Sequence, residues 1–72
     1  MNKRQLQKQF TREKIIAAAK EIFIEKGIIN TATSQIAEAA GIAHGTLFLH
    51  FPSKDALVIE LLDVELMKFN SA

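Results

Sequence analysis

A single glycine interrupts a helical pattern in the segment IAEAAGIAHGTLFLHF, which spans residues 36–51. Gly41 suits the left-handed backbone conformation that often ends a helix, because glycine has no Cβ. Ile42 lies in the middle of the turn and is expected to point inward, and the small side chain of Ala37 allows two helices to cross closely. Leu47 can close the core between them. This spacing predicts a helix-turn-helix, two helices at roughly 90–120° joined by a short turn.

The whole sequence predicts an all-α fold, with three helices followed by the start of a long fourth helix. Apolar residues recur at helical spacing, and no segment alternates as a strand does. We expect helices at residues 11–26, 34–40, 43–51 and from 54 towards 69. Gly27 and Pro52 fall at predicted helix ends, where glycine suits the last turn and proline prevents continuation.

The predicted helix starts carry side chains that can accept a backbone N–H. Thr11 is expected to cap the first helix and Ser53 the fourth, with Phe10 packing back on the first turn. The candidates for the second helix are Thr31, Thr33 and Ser34. The predicted core consists of Ile15, Ala18, Ala19, Ile22 and Phe23 in the first helix, Ile36, Ala37 and Ala40 in the second, and Leu47, Phe48 and Phe51 in the third.

Charge is distributed unevenly along the 72 residues, although the net charge is only +1. Eight Lys and Arg accompany four Asp and Glu before residue 55, against one and four afterwards. This segregation favours an anionic partner for the basic part. No apolar run approaches the roughly 20 residues that cross a bilayer, and the N-terminus does not resemble a signal peptide. We therefore expect a cytoplasmic protein with no membrane partner.

The titratable residues form no pattern typical of an enzyme or a metal site. The chain has no Cys, no nucleophile–base pair at a suggestive spacing and no glycine-rich phosphate loop, so we predict no catalytic residue and no cofactor. His44 and His50 are six residues apart and project from different faces of a helix, whereas a helical zinc pair needs a spacing of four. No metal site is therefore expected.

The third predicted helix has an unusual solvent face. Its outward positions are His44, Gly45, Thr46, Leu49 and His50. A solvated face normally carries good helix formers such as Lys, Glu and Gln, and a glycine costs about 1 kcal/mol relative to Ala. The cost is understandable if another surface approaches the backbone. DNA phosphates fit, because the N-terminal end of a helix favours anions. The alternative is an ordinary helical hairpin in a bundle.

Residues from about 11 to 62 resemble the N-terminal DNA-binding domain of the tetracycline-repressor (TetR) family of bacterial transcriptional regulators. The matching segments are REKIIAAAKEIFIEKG and IAEAAGIAHGTLFLHFPSKDAL. The resemblance implies that the third helix enters the major groove of a double-stranded DNA operator. It implies phosphate contacts from Thr33, His50 and Lys54, and base or backbone contacts from His44, Gly45, Thr46 and Leu49. It also implies a repressor that binds a palindromic operator as a homodimer, with a small-molecule effector bound outside this chain.

Four positions depart from the family pattern. Ala43 stands where Ser is common, which weakens the cap of the third helix, and Phe48 stands where Tyr is usual, which removes a hydroxyl. His44 replaces a frequent Lys, and Ala32 a Thr or Ser. These changes lower the expected affinity for phosphate, for which the basic N-terminal segment can partly compensate.

The fourth predicted helix carries more apolar residues than one small core can cover. Leu57, Leu61 and Val64 form one stripe, and Val58, Leu62, Leu66 and Phe69 a second, with Ile59 and Met67 nearby. A helix that is apolar on most sides is normally buried on most sides. We therefore interpret the chain as a basic arm at 1–10, a helix-turn-helix domain at 11–53 and, at 54–72, a helix leading to a missing ligand-binding and dimerisation domain. The alternative is a helical protein-interaction module that uses this apolar helix.

Overall fold

Four helices form the computed structural model, which describes residues 3–70 and the side chains of residues 3–63. They are α1 (Lys3–Lys26), α2 (Thr33–Ala40), α3 (His44–His50) and α4 (Lys54–Asn70). No strand occurs within the described residues. The all-α prediction is confirmed, and so is the order of three helices followed by a fourth that is long, although α1 with 24 residues exceeds the 17 of α4.

The core lies where α1, α2, α3 and α4 meet. Its buried members are Ile15, Ala18, Ala19, Ile36, Ala37, Ala40, Leu47, Phe51 and Leu57. Ile22, Phe23, Ile42 and Leu61 pack against this cluster and are partly buried. Burying one such large aliphatic side chain stabilises a fold by about 1.5–3 kcal/mol, so this small cluster carries most of what holds the helices together. The predicted core is confirmed except at Phe48. The predicted apolar positions Val64, Leu66, Met67 and Phe69 of the fourth helix lie outside the described side chains.

The first helix begins at Lys3, not at Thr11 as predicted. The residues before Thr11 are mostly good helix formers, Lys, Arg, Gln and Leu, and nothing breaks the helix there. Phe10 is 63% exposed and lies within α1, so it does not pack back on the first turn of a helix as predicted. The Lys14 ammonium lies 5.5 Å from its ring centroid instead. The prediction of a cap at Thr11 is therefore wrong, because helix propensity continues through it.

The second helix begins one residue earlier than predicted, and none of the three predicted residues caps it. Its N-cap is Ala32, whose backbone N–H donates to Oε1 of Gln35 at 3.1 Å. Thr31 is almost fully buried, and its hydroxyl donates back to the carbonyl of Gly27 at 2.7 Å. The hydroxyl donates its proton to the end of α1, and the N-cap position of α2 falls one residue after Thr31, at Ala32.

The turn between α2 and α3 has the predicted geometry. Gly41 has φ 72° and ψ 32°, in the left-handed region. Its amide donates to the carbonyl of Glu38 at 3.1 Å, and the amide of Ile42 donates to Ala37 at 3.0 Å. This pair of bonds is the Schellman arrangement, which satisfies the last carbonyls of a helix. The prediction that Gly41 ends α2 is confirmed.

The third helix is a residue shorter at each end than predicted, since Ala43 is its N-cap and Phe51 its C-cap. Ala43 offers no side-chain cap. The start of α4 is capped as predicted, because Oγ of Ser53 accepts the amide of Ala56 at 3.2 Å. Among the described residues, no helix is both long and apolar enough to cross a membrane.

Candidate nucleic-acid interface

The outward side of α3 is open to solvent. Leu49 is 86% exposed, whereas its neighbour on the inner side, Leu47, is completely buried. His44 and Gly45 are exposed, and Thr46 and His50 are partly exposed. Each of the five residues expected to face outward is therefore at least partly accessible, and the buried Leu47 fixes which side of α3 points inward.

Phe48 lies on the flank of this surface and is 42% exposed, so its predicted place in the core is wrong. In a short helix the two positions that reach the core are Leu47 and Phe51, which are four residues apart and project from one face. Phe48 is turned by one residue from that face. Its ring packs on the imidazole of His44, with 4.6 Å between the ring centroids.

A side-chain hydrogen bond joins the first turn of α2 to the first turn of α3. Oγ1 of Thr33 lies 2.8 Å from Nε2 of His44. Which atom donates depends on the tautomer of the imidazole. Two residues that the resemblance implied as separate DNA contacts are thus a bonded pair. Sequence reasoning missed this pair, since the residues are eleven positions apart on either side of a turn.

Gly45 is not required by the packing or the backbone of this chain. A Cβ at this position would have no atom of the neighbouring elements within 4 Å. Among the described residues only Gly27 and Gly41 have positive φ. Within the described residues, neither packing nor backbone conformation therefore calls for a glycine at this position.

Lys54 makes two internal hydrogen bonds. Its ammonium donates to the carbonyl of Ile28 at 2.9 Å and to that of Thr31 at 3.1 Å. Both acceptors belong to the segment between α1 and α2. An ammonium has three donors, so one remains for a phosphate contact of the kind the resemblance implies.

His50, at the end of α3, lies in a basic environment. Partial burial lowers the pKa of His50 from its ordinary value of 6.5, and the positive charges of Arg12 and Lys8 lower the pKa further. Arg12 is itself held in place, because it pairs with Glu60 at 2.9 Å and lies over the Phe51 ring, 4.6 Å from its centroid. The side chain of Arg12 therefore links α1 to α4 and to the C-cap residue of α3, a role that sequence reasoning did not find.

No metal-binding cluster occurs within the part of the chain that the structure describes. His44 is bonded to Thr33, and His50 lies against Phe51 at the other end of α3, with 6.5 Å between ring centroids. These two imidazoles do not converge on one point.

Two short helices joined through a left-handed glycine, the second presenting an exposed face, define a helix-turn-helix domain. The sequence profile described as "Bacterial regulatory proteins, tetR family" matches residues 15–61. This chain belongs to the TetR family of bacterial regulatory proteins.

Named relatives agree with this assignment. The chain is 44% identical over 55 residues to the HTH-type transcriptional regulator TtgR of Pseudomonas putida, covering 76% of this chain and 26% of TtgR. It is 36% identical over 58 residues to the HTH-type transcriptional regulator QacR of Staphylococcus aureus, covering 81% of this chain and 31% of QacR. It is 41% identical over 58 residues to the HTH-type transcriptional regulator UidR of Escherichia coli, covering 81% of this chain and 30% of UidR. The chain thus spans between a quarter and a third of these relatives. No solved structure matches it.

Proposed function

We propose that this chain is the DNA-binding head of a TetR-like, ligand-responsive repressor, and that it places α3 in the major groove of a double-stranded operator. The observation that carries the proposal is the outward side of α3, which is accessible along its length while Leu47 anchors its inner side. The left-handed turn at Gly41 ends α2, so α3 is a separate helix. The major groove is wide enough to admit an α-helix.

The proposed contacts divide into base readout and positioning. His44, Thr46 and Leu49 read base edges, and Gly45 lets a DNA strand approach the backbone. Thr33, His50 and Lys54 contact phosphates, which fix register without carrying sequence information. Support comes from the accessibility of these side chains, all of which are exposed or half-buried, and, for Lys54, from the one ammonium donor left after its two internal bonds.

The proposal extends to the partners of the whole protein, and its support there is the resemblance to the TetR family. A palindromic operator is bound by a homodimer, and a small-molecule effector binds a domain outside this chain. The division at residues 1–10, 11–53 and 54–72 remains part of this proposal, and residues 3–10 of the basic arm form the start of α1. The protein acts in the cytoplasm. No catalytic role is proposed for any residue.

An apolar groove between α1 and α4 is the observation nearest to the alternative function, a protein-interaction module. Its cavity volume is about 330 Å³, and it is lined by Lys20, Phe23, Ile24, Ile28, Val58, Leu61 and Leu62. The relatives described above are named as transcriptional regulators, so they give no support to this alternative.

Selection of duplexes from a random-sequence library by the 72-residue chain tests the proposed function. We expect enrichment of a short motif, with the logarithm of the affinity falling linearly as the logarithm of the salt concentration rises. Fluorescence anisotropy with the enriched duplex measures this at about 50 and about 200 mM salt. Retention of no duplex at the lower salt concentration would contradict the proposal and favour the interaction module.

Leu49→Ala tests the proposed placement of α3 within that experiment. A leucine has no hydrogen bond to give, but it can pack on the methyl group of a thymine. We expect the variant to lose about 1 kcal/mol of preference at one base position, roughly fivefold in relative affinity. The control is a set of duplexes changed at the other positions, whose ranking should stay the same. If all relative affinities are unchanged, Leu49 does not read a base.

A further inference from the structure

Lys54 connects two parts of the chain that are distant in sequence. The residues between α1 and α2, here called the connector, are 27–32. The ammonium of Lys54 reaches this segment from the first turn of α4 and binds the carbonyls of Ile28 and Thr31 at 2.9 and 3.1 Å. Hydrogen bonds from a charged donor are stronger than those between neutral groups. We propose that Lys54 is a positioning residue, which fastens the connector to α4 and thereby sets where the first turn of α2 lies.

Both ends of this link are fixed. On the α4 side, Leu57 lies one turn after Lys54 and is completely buried in the core. On the connector side, Thr31 is almost fully buried, and its hydroxyl donates to Gly27. Because neither end moves freely, the ammonium of Lys54 holds the connector at a defined distance from the start of α4.

The carbonyl of Ile28 serves two donors. It accepts the amide of Thr31 at 3.2 Å as well as the ammonium of Lys54. Loss of Lys54 therefore leaves this carbonyl, and the turn that the Thr31 amide closes, with one of its two bonds. Exchange of the Thr31 amide with solvent is a direct reporter of whether Lys54 holds the connector.

The connector leads directly into the proposed DNA contacts. Thr33 begins α2 two residues after Thr31, and its hydroxyl bonds His44 at the start of α3. A displaced connector moves Thr33 and then the imidazole of His44. The DNA part of this inference rests on the proposed function, in which Thr33 touches a phosphate. The connector part does not.

Hydrogen exchange of the free 72-residue chain tests the connector part without any DNA. Lys54→Met keeps most of the aliphatic stem and removes the donors. We expect exchange of the Thr31 amide to rise at least about tenfold. The amide of Ile42, which closes the α2–α3 turn, should exchange as in the unmodified chain. Lys14→Met, which removes an exposed charge on α1, is the matched control and should leave the exchange of both amides unchanged.

Two results would overturn the connector part. One is an unchanged Thr31 amide in Lys54→Met. The other is an equal increase at Thr31 and Ile42, which would mean that the variant loosens the whole domain and that Lys54 has no local effect.

A double-mutant cycle tests the effect on DNA, using a short random-sequence duplex as the probe. If Lys54 positions Thr33, then Thr33→Val loses less affinity in the Lys54→Met background than in the unmodified chain, by at least about threefold. Residues that contact phosphates independently give additive losses, and additivity would overturn the positioning of Thr33. A chain that binds no duplex contradicts the proposed function, while the exchange of the Thr31 amide still decides whether Lys54 holds the connector.

Discussion

The turn between α2 and α3 and the connector between α1 and α2 are stabilised in different ways. In the turn, backbone amides of Gly41 and Ile42 bond carbonyls three and five residues earlier in the chain. In the connector, the ammonium of Lys54 bonds carbonyls that are 26 and 23 residues away in sequence. The turn is therefore a purely local structure, whereas the connector has a positive-φ glycine and local bonds of its own but is also fastened to a distant helix.

This difference explains why the glycines at Gly27 and Gly41 can be interpreted from the sequence, whereas the link from Lys54 to the connector cannot. A residue that must adopt positive φ leaves a mark on the sequence, since few residues other than glycine accept it. A carbonyl that binds a distant ammonium leaves no mark, because every residue has a carbonyl. Substitutions in the turn and in the connector should show whether the two segments also differ in how much they contribute to stability.

The largest effect is expected from Gly41→Ala. An alanine in the left-handed region costs about 1–2 kcal/mol because its Cβ approaches the backbone, and the position has φ 72°. Urea unfolding of the 72-residue chain should show a loss of this size. Gly41→Asn, which tolerates positive φ better, is the control and should lose less. Equal losses for the two variants would mean that strain at this position is not what makes the turn depend on glycine.

Thr31→Val should lower the free energy of unfolding, measured in urea, by about 1 kcal/mol. The reason is that the substitution removes the buried hydroxyl that bonds the end of α1. The valine fills nearly the same volume at this buried position. Thr31→Ser keeps the hydroxyl and should retain most of the stability that the Val variant loses. If Ser is destabilised and Val is not, packing of the methyl group and not the bond to Gly27 holds the connector.

Gly45→Ala should change stability and DNA affinity in opposite directions. Alanine favours the helix by up to about 1 kcal/mol relative to glycine, and the space around this position is open. The free chain should therefore become more stable in urea unfolding. Affinity for the enriched duplex should fall, because the added methyl group lies where the DNA backbone approaches. Unchanged affinity would show that DNA does not come close to the backbone at Gly45.

The fold could be predicted where the sequence carries a local signal. Helical spacing of the apolar residues gave all four helices, and the glycine and proline positions marked most of their ends. The start of α1 was placed too late because Thr11 can cap a helix but can also lie within one. Phe48 was assigned to the core because apolar character alone does not say which residues of a seven-residue helix reach inward.

The candidate site was predictable as a surface but not as a set of contacts. The exposure of Leu49 and Gly45 follows from the burial of Leu47, and helical geometry alone gives it. The bond between Thr33 and His44 and the link from Lys54 to the connector depend on how the helices are placed in space. No periodicity in the sequence reports such distances.

The smallest expected effect is a pH dependence that comes from His50. It tests whether side chains of α1 influence the end of α3, as Lys54 of α4 influences the connector. Burial and the charges of Arg12 and Lys8 lower the pKa of His50 below 6.5 in the folded chain. Between that lowered pKa and 6.5 the unfolded state binds more protons, so stability is complete above pH 6.5 and falls as the pH drops through this window. A nearby phosphate favours the charged imidazole, so the affinity for DNA should rise as the pH falls through the same window. His50→Gln removes both trends if His50 is their source. Urea unfolding and anisotropy over a pH series measure them, and equal pH profiles for the two chains would show that His50 contributes to neither.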